Sequence, residues 1–359
     1  MNSRLGQQCR RALLSVVALA GIVLSNCGPD ASEPTSPSGA APTTPSGPAS
    51  TLSLAVAAQA RHSDQLLAIP GVVGTAVAVE QNGQARVRLF TRSPDVRGLP
   101  ATLDGVPVST VVTGAIRALP AATPLAAAAA AVNRTSKFAR PVPIGISTGN
   151  QGECLAGTIG ARVKVGSKLY ALSNNHVYAL ENRAAIGTNV LQPGRFDLNC
   201  ATGTADVIGK LSKFVRISFA AGTKNRVDAA IASVTSSNLR RNTPSDGYGT
   251  PTAKIVTAAL NQKVQKYGRT TGLTSGTVVG INATIDVEYS NSKIARFVGQ
   301  IVIQKPTGKF SKAGDSGSLI VDTNRHPVGL LFAGADDGTT FANPIGAVLN
   351  ALGVSIDGT

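Results

Sequence analysis

Ala313-Gly314-Asp315-Ser316-Gly317-Ser318 is the stretch on which the reading of this 359-residue chain turns. A serine hydroxyl is a poor nucleophile unless its backbone is fixed and a base takes its proton. The flanking glycines lack a Cβ, so the main chain can fold there into a tight turn. Such a turn can aim the N–H groups of Gly314 and Ser316 at one point, where a developing oxyanion would sit. A base and an acid are then required elsewhere in the chain.

Three histidines occur: His62, His176 and His326. His62 lies in a segment with helical spacing and reads as a surface residue. His326 sits in the hairpin turn Thr323-Asn324-Arg325-His326-Pro327 and is expected to be exposed. His176 follows the strand-like Leu169-Tyr170-Ala171-Leu172-Ser173 in Asn174-Asn175-His176-Val177. A histidine where a buried strand enters a loop can face a cleft while being held rigidly. Imidazole titrates near neutral pH, so it can take a serine proton and return it. The acid that orients it is sought among Asp197, Asp206 and Asp228. Asp228 stands in Asn225-Arg226-Val227-Asp228-Ala229-Ala230-Ile231-Ala232, an apolar run where a carboxylate is costly to bury without a partner. A histidine N–H is a suitable partner, whereas Asp197 and Asp206 lie in polar loops open to water. Asp228 is therefore preferred.

The order His176, Asp228, Ser316, with Gly-Asp-Ser-Gly around the serine, resembles the chymotrypsin-like (trypsin-like, PA clan) serine proteases. The resemblance covers residues 141–359. Lys266-Tyr267-Gly268-Arg269-Thr270-Thr271-Gly272-Leu273-Thr274-Ser275-Gly276-Thr277-Val278 is similar to the Gly-rich strand that opens the second barrel of secreted bacterial enzymes. Leu155–Gly160, Leu172–Val177 and Val227–Ala232 look closest to the plant narrow-leaf proteins and their bacterial relatives. The resemblance implies an all-β catalytic domain of two six-stranded β-barrels with the site between them. It implies a Ser316–His176–Asp228 triad, an oxyanion hole at Gly314 and Ser316, and a specificity pocket floored by Phe310. Phe310 argues against an acidic floor for Lys or Arg. Ser318 replaces a glycine common after the nucleophile, and no cysteine stands at Thr274 or Ser275. The function implied is a serine endopeptidase acting on protein or peptide substrates without a cofactor. A surface binding or scaffold protein with the same fold, and an esterase using the same residues, are the alternatives.

Many short strands separated by turn residues agree with barrels over 141–359, among them 156–165, 168–173, 207–214, 227–234, 264–267, 276–289, 298–304, 318–321 and 328–332. Pro344–Leu352 has helical periodicity. Ahead of this, residues 52–119 predict a small α+β accessory or pro-domain. Its helix is Leu52–Leu67 and its strands are Val72–Glu80, Ala85–Arg92 and Val106–Val112. Asn82-Gly83 is a strong hairpin signal, read as a turn with positive φ at both central residues. No chemistry is visible there, so a propeptide, an inhibitor acting within the chain or a docking module are the readings. Residues 120–140, with Ala126–Ala131 and flanking prolines, read as a linker and processing site.

Residues 1–27 read as an export signal: Arg4, Arg10 and Arg11, then the apolar Ala12–Leu24, too short to span a bilayer as a helix. Leu24-Ser25-Asn26-Cys27 resembles a bacterial lipobox, with Cys27 as the acylation site and plain release as the alternative. A lipid there would be the only membrane contact, placing a bacterial lipoprotein at the cell envelope or outside the cell. Residues 28–51 are a Pro/Ser/Thr-rich tether with too few bulky apolar residues to fold. Of four cysteines, Cys154 and Cys200 are left for the folded part, where export favours a disulfide. No CxxC pair or histidine cluster suggests a metal. The net charge of +15 is scattered without interleaved aromatics, which fits an anionic cell surface rather than nucleic acid.

Overall fold

The computed structural model describes residues 48–118, 132–201 and 206–359, and these form one compact unit. The signal segment, Cys27 and the alanine run lie outside the described residues. No helix among the described residues is long and apolar enough to cross a membrane.

The chain enters through α1 (Pro48–Leu67), then β1 (Val72–Val79), β2 (Ala85–Thr91), β3 (Thr102–Leu103), β4 (Val106–Val112) and β5 (Ile116–Ala118). α1 begins inside the stretch read as tether, with Pro48 first, where its missing N–H costs nothing. Ala55, Ala58 and Leu66 lie on one face and pack on Val77, Val87 and Leu89. At Asn82-Gly83 the hairpin differs from expectation. Only Gly83 has positive φ, and Glu80 is bonded to both Gly83 and Gln84, so the connection has three residues. Asp104-Gly105 carries the two positive φ values of the primed turn instead, at 48° and 79°.

The first barrel follows as β6 (Ser147–Asn150), β7 (Gly157–Thr158), β8 (Ala161–Val165), β9 (Lys168–Ser173), the one-turn α2 (Asn175–Tyr178), β10 (Asn189–Leu191), β11 (Val207–Phe214) and β12 (Ala230–Val234). With the C-terminal β19 (Ser355–Ile356) these strands make an eight-stranded sheet ordered β19-β8-β9-β12-β11-β10-β6-β7. The second barrel is β13 (Lys263–Gly268), β14 (Gly272–Glu288), β15 (Ile294–Gln304), β16 (Leu319–Asp322), β17 (Pro327–Ala335) and β18 (Thr340–Pro344), with α3 (Ile345–Leu352) behind it. Its order is β13-β16-β17-β18-β15-β14, and β13 also pairs β14, which closes six strands into a ring. This is the double-barrel layout the sequence predicted.

The N-terminal helix and strands are present as read, but their sheet is not free-standing. β1 pairs antiparallel with β14, so one eleven-stranded sheet runs from β3 into the second barrel. Val73 and Phe90 share a core with Phe297, Phe332 and Phe341. Part of the stretch read as linker is also packed. Arg134 accepts the Ser147 N–H on its carbonyl, and Phe138 leans on the first-barrel core.

Candidate active site

Strand register places the histidine and the aspartate together. Ser173 of β9 is opposite Ala230 of β12. The two strands are antiparallel, so residues just after Ser173 meet residues just before Ala230. Asn174 Nδ2 donates to the Asp228 carbonyl at 2.8 Å, and Asn175 Nδ2 donates to the Val215 carbonyl at 2.6 Å. The two asparagines clamp α2 to the barrel, with His176 buried on that single turn.

His176 Nδ1 lies 2.6 Å from Asp228 Oδ2, and the His176 N–H donates to Oδ1 at 3.2 Å. Tyr289 Oη donates to the same Oδ2 at 2.7 Å. Burial first, then the Asp228 charge, push the Tyr289 phenol well above its ordinary pKa, so it stays protonated as a donor. Asp228 is fully buried, and these three hydrogen bonds meet the cost of its charge. Sequence reasoning missed Tyr289, which closes a strand-like run and carries no local signal of this role.

The serine turn is built by its neighbours. Gly314 and Gly317 adopt φ of 94° and 93°. A Cβ on Gly317 would lie 2.2 Å from Ser173 Oγ and 2.3 Å from the Thr158 carbonyl oxygen, so only glycine fits. Asp315 points inward. It accepts from the N–H groups of Thr270 and Thr271 and the Thr271 hydroxyl, and Lys266 Nζ stands 3.5 Å away. The Gly-rich Lys266–Gly272 stretch thus anchors the turn. Asp315, Gly317 and Ser318 spend their N–H groups on Lys312, Leu331 and Asp315 carbonyls. The N–H groups of Gly314 and Ser316 have no partner among the described residues, which leaves two donors for an incoming oxygen.

The turn and α2 converge on β7. Thr158 donates its N–H to the Ser316 carbonyl at 2.8 Å. The space beside Gly157 is shared by the Val177 side chain and the Ser316 carbonyl oxygen. His176 and Asp228 are hydrogen-bonded to each other, whereas Ser316 Oγ is directed at the Phe332 carbonyl, at 3.5 Å. His176 Nε2 has no hydrogen-bond partner among the described residues.

The other candidate residues fall as follows. Asp197 and Asp206 are not solvated loop residues. Asp197 forms a buried pair with Arg269, and Asp206 pairs with Lys137. His326 is half-buried on Asp322 at 2.9 Å rather than exposed, and His62 lies on Asp104 at 3.1 Å. Phe310 is fully buried among Val264, Val278 and Ile303. It does not line the cavity beside the serine turn, whose walls include Lys309, Ser311, Lys312 and Gly334. Cys154 and Cys200 form a disulfide with Cα atoms 5.0 Å apart, closing the segment that carries His176. Among the described residues no group of His, Cys, Asp and Glu could hold a metal ion.

A cleft of about 540 Å3 opens at His176, Cys154, Glu181 and Tyr289. Arg117 and Ala118 of β5 line it, and Arg117 also lines the cavity beside the serine turn. β5 runs antiparallel to β17, with Ala118 opposite Ala333 and Arg117 opposite Gly334. On its other side Arg117 faces Glu288 of β14.

The chain is 35% identical over 103 residues to Streptogrisin-A of Streptomyces griseus, a match covering 28% of this chain and 32% of that protein. Residues 251–349 match the Nal1 C-terminal domain, a span that holds both the Lys266–Val278 stretch and the serine turn. Over this part of its length the chain resembles the chymotrypsin-like serine proteases. The Nal1 match agrees with the narrow-leaf relation expected from the sequence. The alignment spans about a third of the length of the curated relative. Two solved structures are also similar to this chain. One is described as a glutamic acid specific serine protease that uses a histidine triad in substrate binding, at 21% identity and TM-score 0.44, over 60% of this chain and all of that one. The other is Protease A of Thermobifida fusca, at 21% identity and TM-score 0.43, over 61% of this chain and all of that one.

Proposed function

We propose that this protein is a serine endopeptidase that cleaves peptide bonds through an acyl-enzyme. Ser316 Oγ attacks the carbonyl, and His176 Nε2 takes the proton and returns it to the leaving amine. Asp228 holds the ring and stabilises its charged form. The N–H groups of Gly314 and Ser316 receive the oxyanion. One observation carries this reading: an imidazole is fixed by a buried aspartate with its Nε2 unbonded among the described residues, while the serine turn, which meets the α2 segment at Gly157, leaves two N–H groups unpartnered. In this reading the Ser316 hydroxyl leaves the Phe332 carbonyl to engage the imidazole.

A fluorophosphonate probe tests the reading. Wild-type protein is expected to be labelled at Ser316, and Ser316→Ala is not. Asp228→Asn should lower the labelling rate by about 10^4-fold, because the ring tautomer is lost. Absence of label on a folded protein would favour the second reading, a surface binding protein. That reading draws on the present direction of the Ser316 hydroxyl and on its complete burial.

The disulfide and the signal-like start support an extracytoplasmic site. Acylation of Cys27 would tether the enzyme to the envelope, and Cys27→Ala should then release it into the medium. Residues 52–119 act as an intramolecular inhibitor in this reading. The support is β5, which occupies the β17 edge next to the serine turn.

A further inference from the structure

The edge of β17 ends at the nucleophile. Ala118 is opposite Ala333, and one step further along β17 lies Phe332, whose carbonyl faces Ser316 Oγ. A peptide laid along this edge in the direction of β5 would bring the residue after the Ala118 position to the serine. The side chain at the Arg117 position would then belong two residues before the carbonyl under attack.

That position has its own charge environment. Arg117 Nη1 is 2.5 Å from Asp336 Oδ1, and its Nε is 3.2 Å from Glu288 Oε2. Asp336 Oδ2 also accepts the Ala115 N–H at 3.0 Å, so that carboxylate grips backbone and side chain of one strand together. The cations nearby are Arg92, paired with Glu288, and Lys309, whose Nζ reaches the Asp336 carbonyl. Neither takes the Asp336 carboxylate, so that carboxylate and the Glu288 oxygen that Arg92 leaves converge on the Arg117 guanidinium.

We infer that Glu288 and Asp336 form a subsite for a basic side chain, and that Arg117 fills it as the corresponding Arg or Lys of a substrate would. The inference rests on Ser316 being the nucleophile and names the class of peptide delivered to it. Arg117 is half exposed, so the discrimination is modest: about fivefold for Arg over Ala, and more against Glu.

Binding of labelled peptides, read by fluorescence anisotropy, tests it without requiring hydrolysis. The full chain carrying Ser316→Ala and Arg117→Ala is titrated with Gly-Ala-Ile-Arg-Ala-Leu and with its Arg→Ala and Arg→Glu forms. The Arg peptide is expected to bind about fivefold more tightly than the Ala form, with the Glu form weakest. Adding Glu288→Gln and Asp336→Asn should erase the order, and raised salt should narrow it. Equal affinities, no binding by any peptide, or a preference that survives the two carboxylate changes would overturn the subsite. Arg117→Lys, which keeps the charge, should leave the native strand seated and exclude all three peptides more strongly than Arg117→Ala does. Loss of fluorophosphonate labelling alongside intact Arg preference would remove the protease reading and leave the subsite standing.

Discussion

Lys266 and Asp315 are both fully buried, 3.5 Å apart, under the serine turn. Burial pushes the lysine pKa down, and the Asp315 charge works against that push. Asp315 gathers four donors from Lys312, Thr270 and Thr271 besides, so its charge is well satisfied only while this small cage is intact. Lys266→Met leaves a buried carboxylate without its cation, and a loss of about 3–5 kcal/mol is expected. A fall in the urea midpoint at unchanged slope would measure it. Lys266→Met with Asp315→Asn should recover part of the loss, because no buried charge is then left alone. At residue scale Ser316, His176 and Asp228 could be nominated from the sequence, since each stands in a motif or an unusual setting. Lys266, Tyr289 and the clamping pair Asn174 and Asn175 could not. Their roles arise from contacts between strands far apart in the chain.

The hairpin between β14 and β15 carries Tyr289 to Asp228, and Glu181 holds that hairpin in place. Ser290 donates its N–H at 3.0 Å and its hydroxyl at 2.7 Å to the Glu181 carboxylate, and Lys293 joins them. Burial alone would raise the Glu181 pKa, but the hydrogen bonds from Lys293 and Ser290 outweigh it, and the net shift is downward. A carboxylate whose folded pKa lies below its unfolded one stabilises the fold above the unfolded value and stops doing so as pH falls through the folded one. Wild-type protein should therefore melt higher than Glu181→Gln near pH 7, with the gap closing on acidification below the model-peptide value of 4.5. Melting curves across pH 3–7 would check it, and a gap independent of pH would count against the carboxylate. Long strands such as β14 and the helix α3 were legible from periodicity. β5, α2 and β18 were not. The first two are too short to show a period, and β18 exists because β15 and β17 offer partners. The run 156–165 is divided into β7 and β8 at Ile159-Gly160, where the Gly160 backbone packs against the Gly317 carbonyl.

Across the whole molecule, β1 covers the flank of β14, and Phe90 meets Phe341 edge to face at 5.7 Å. The composition of residues 52–119 predicted their elements but could not reveal this seam, because pairing partners 200 residues away leave no local trace. A chain that starts at residue 132 would bare the β14 edge together with Phe341 and Ile285. Exposed edges of this kind pair with other copies. Such a truncated chain is expected to self-associate in light scattering and to melt below the full-length protein. A monomer of equal stability would show the seam to be dispensable. The Cys154–Cys200 link spans 46 residues, for which chain-entropy reasoning gives about 4 kcal/mol.

A guest strand that belongs to its own host behaves unlike a free peptide. β5 is wedged between β14 and β17 by covalent continuity with β4, so its local concentration is on the order of millimolar however dilute the protein becomes. Dilution would not vacate the groove, and a peptide would enter it only once the resident's own hold is weakened, as Arg117→Ala weakens it. Severing the backbone between Ala118 and Val132 would leave the strand attached on one side only. The groove would then open by degrees, at a tempo set by how fast three residues peel away.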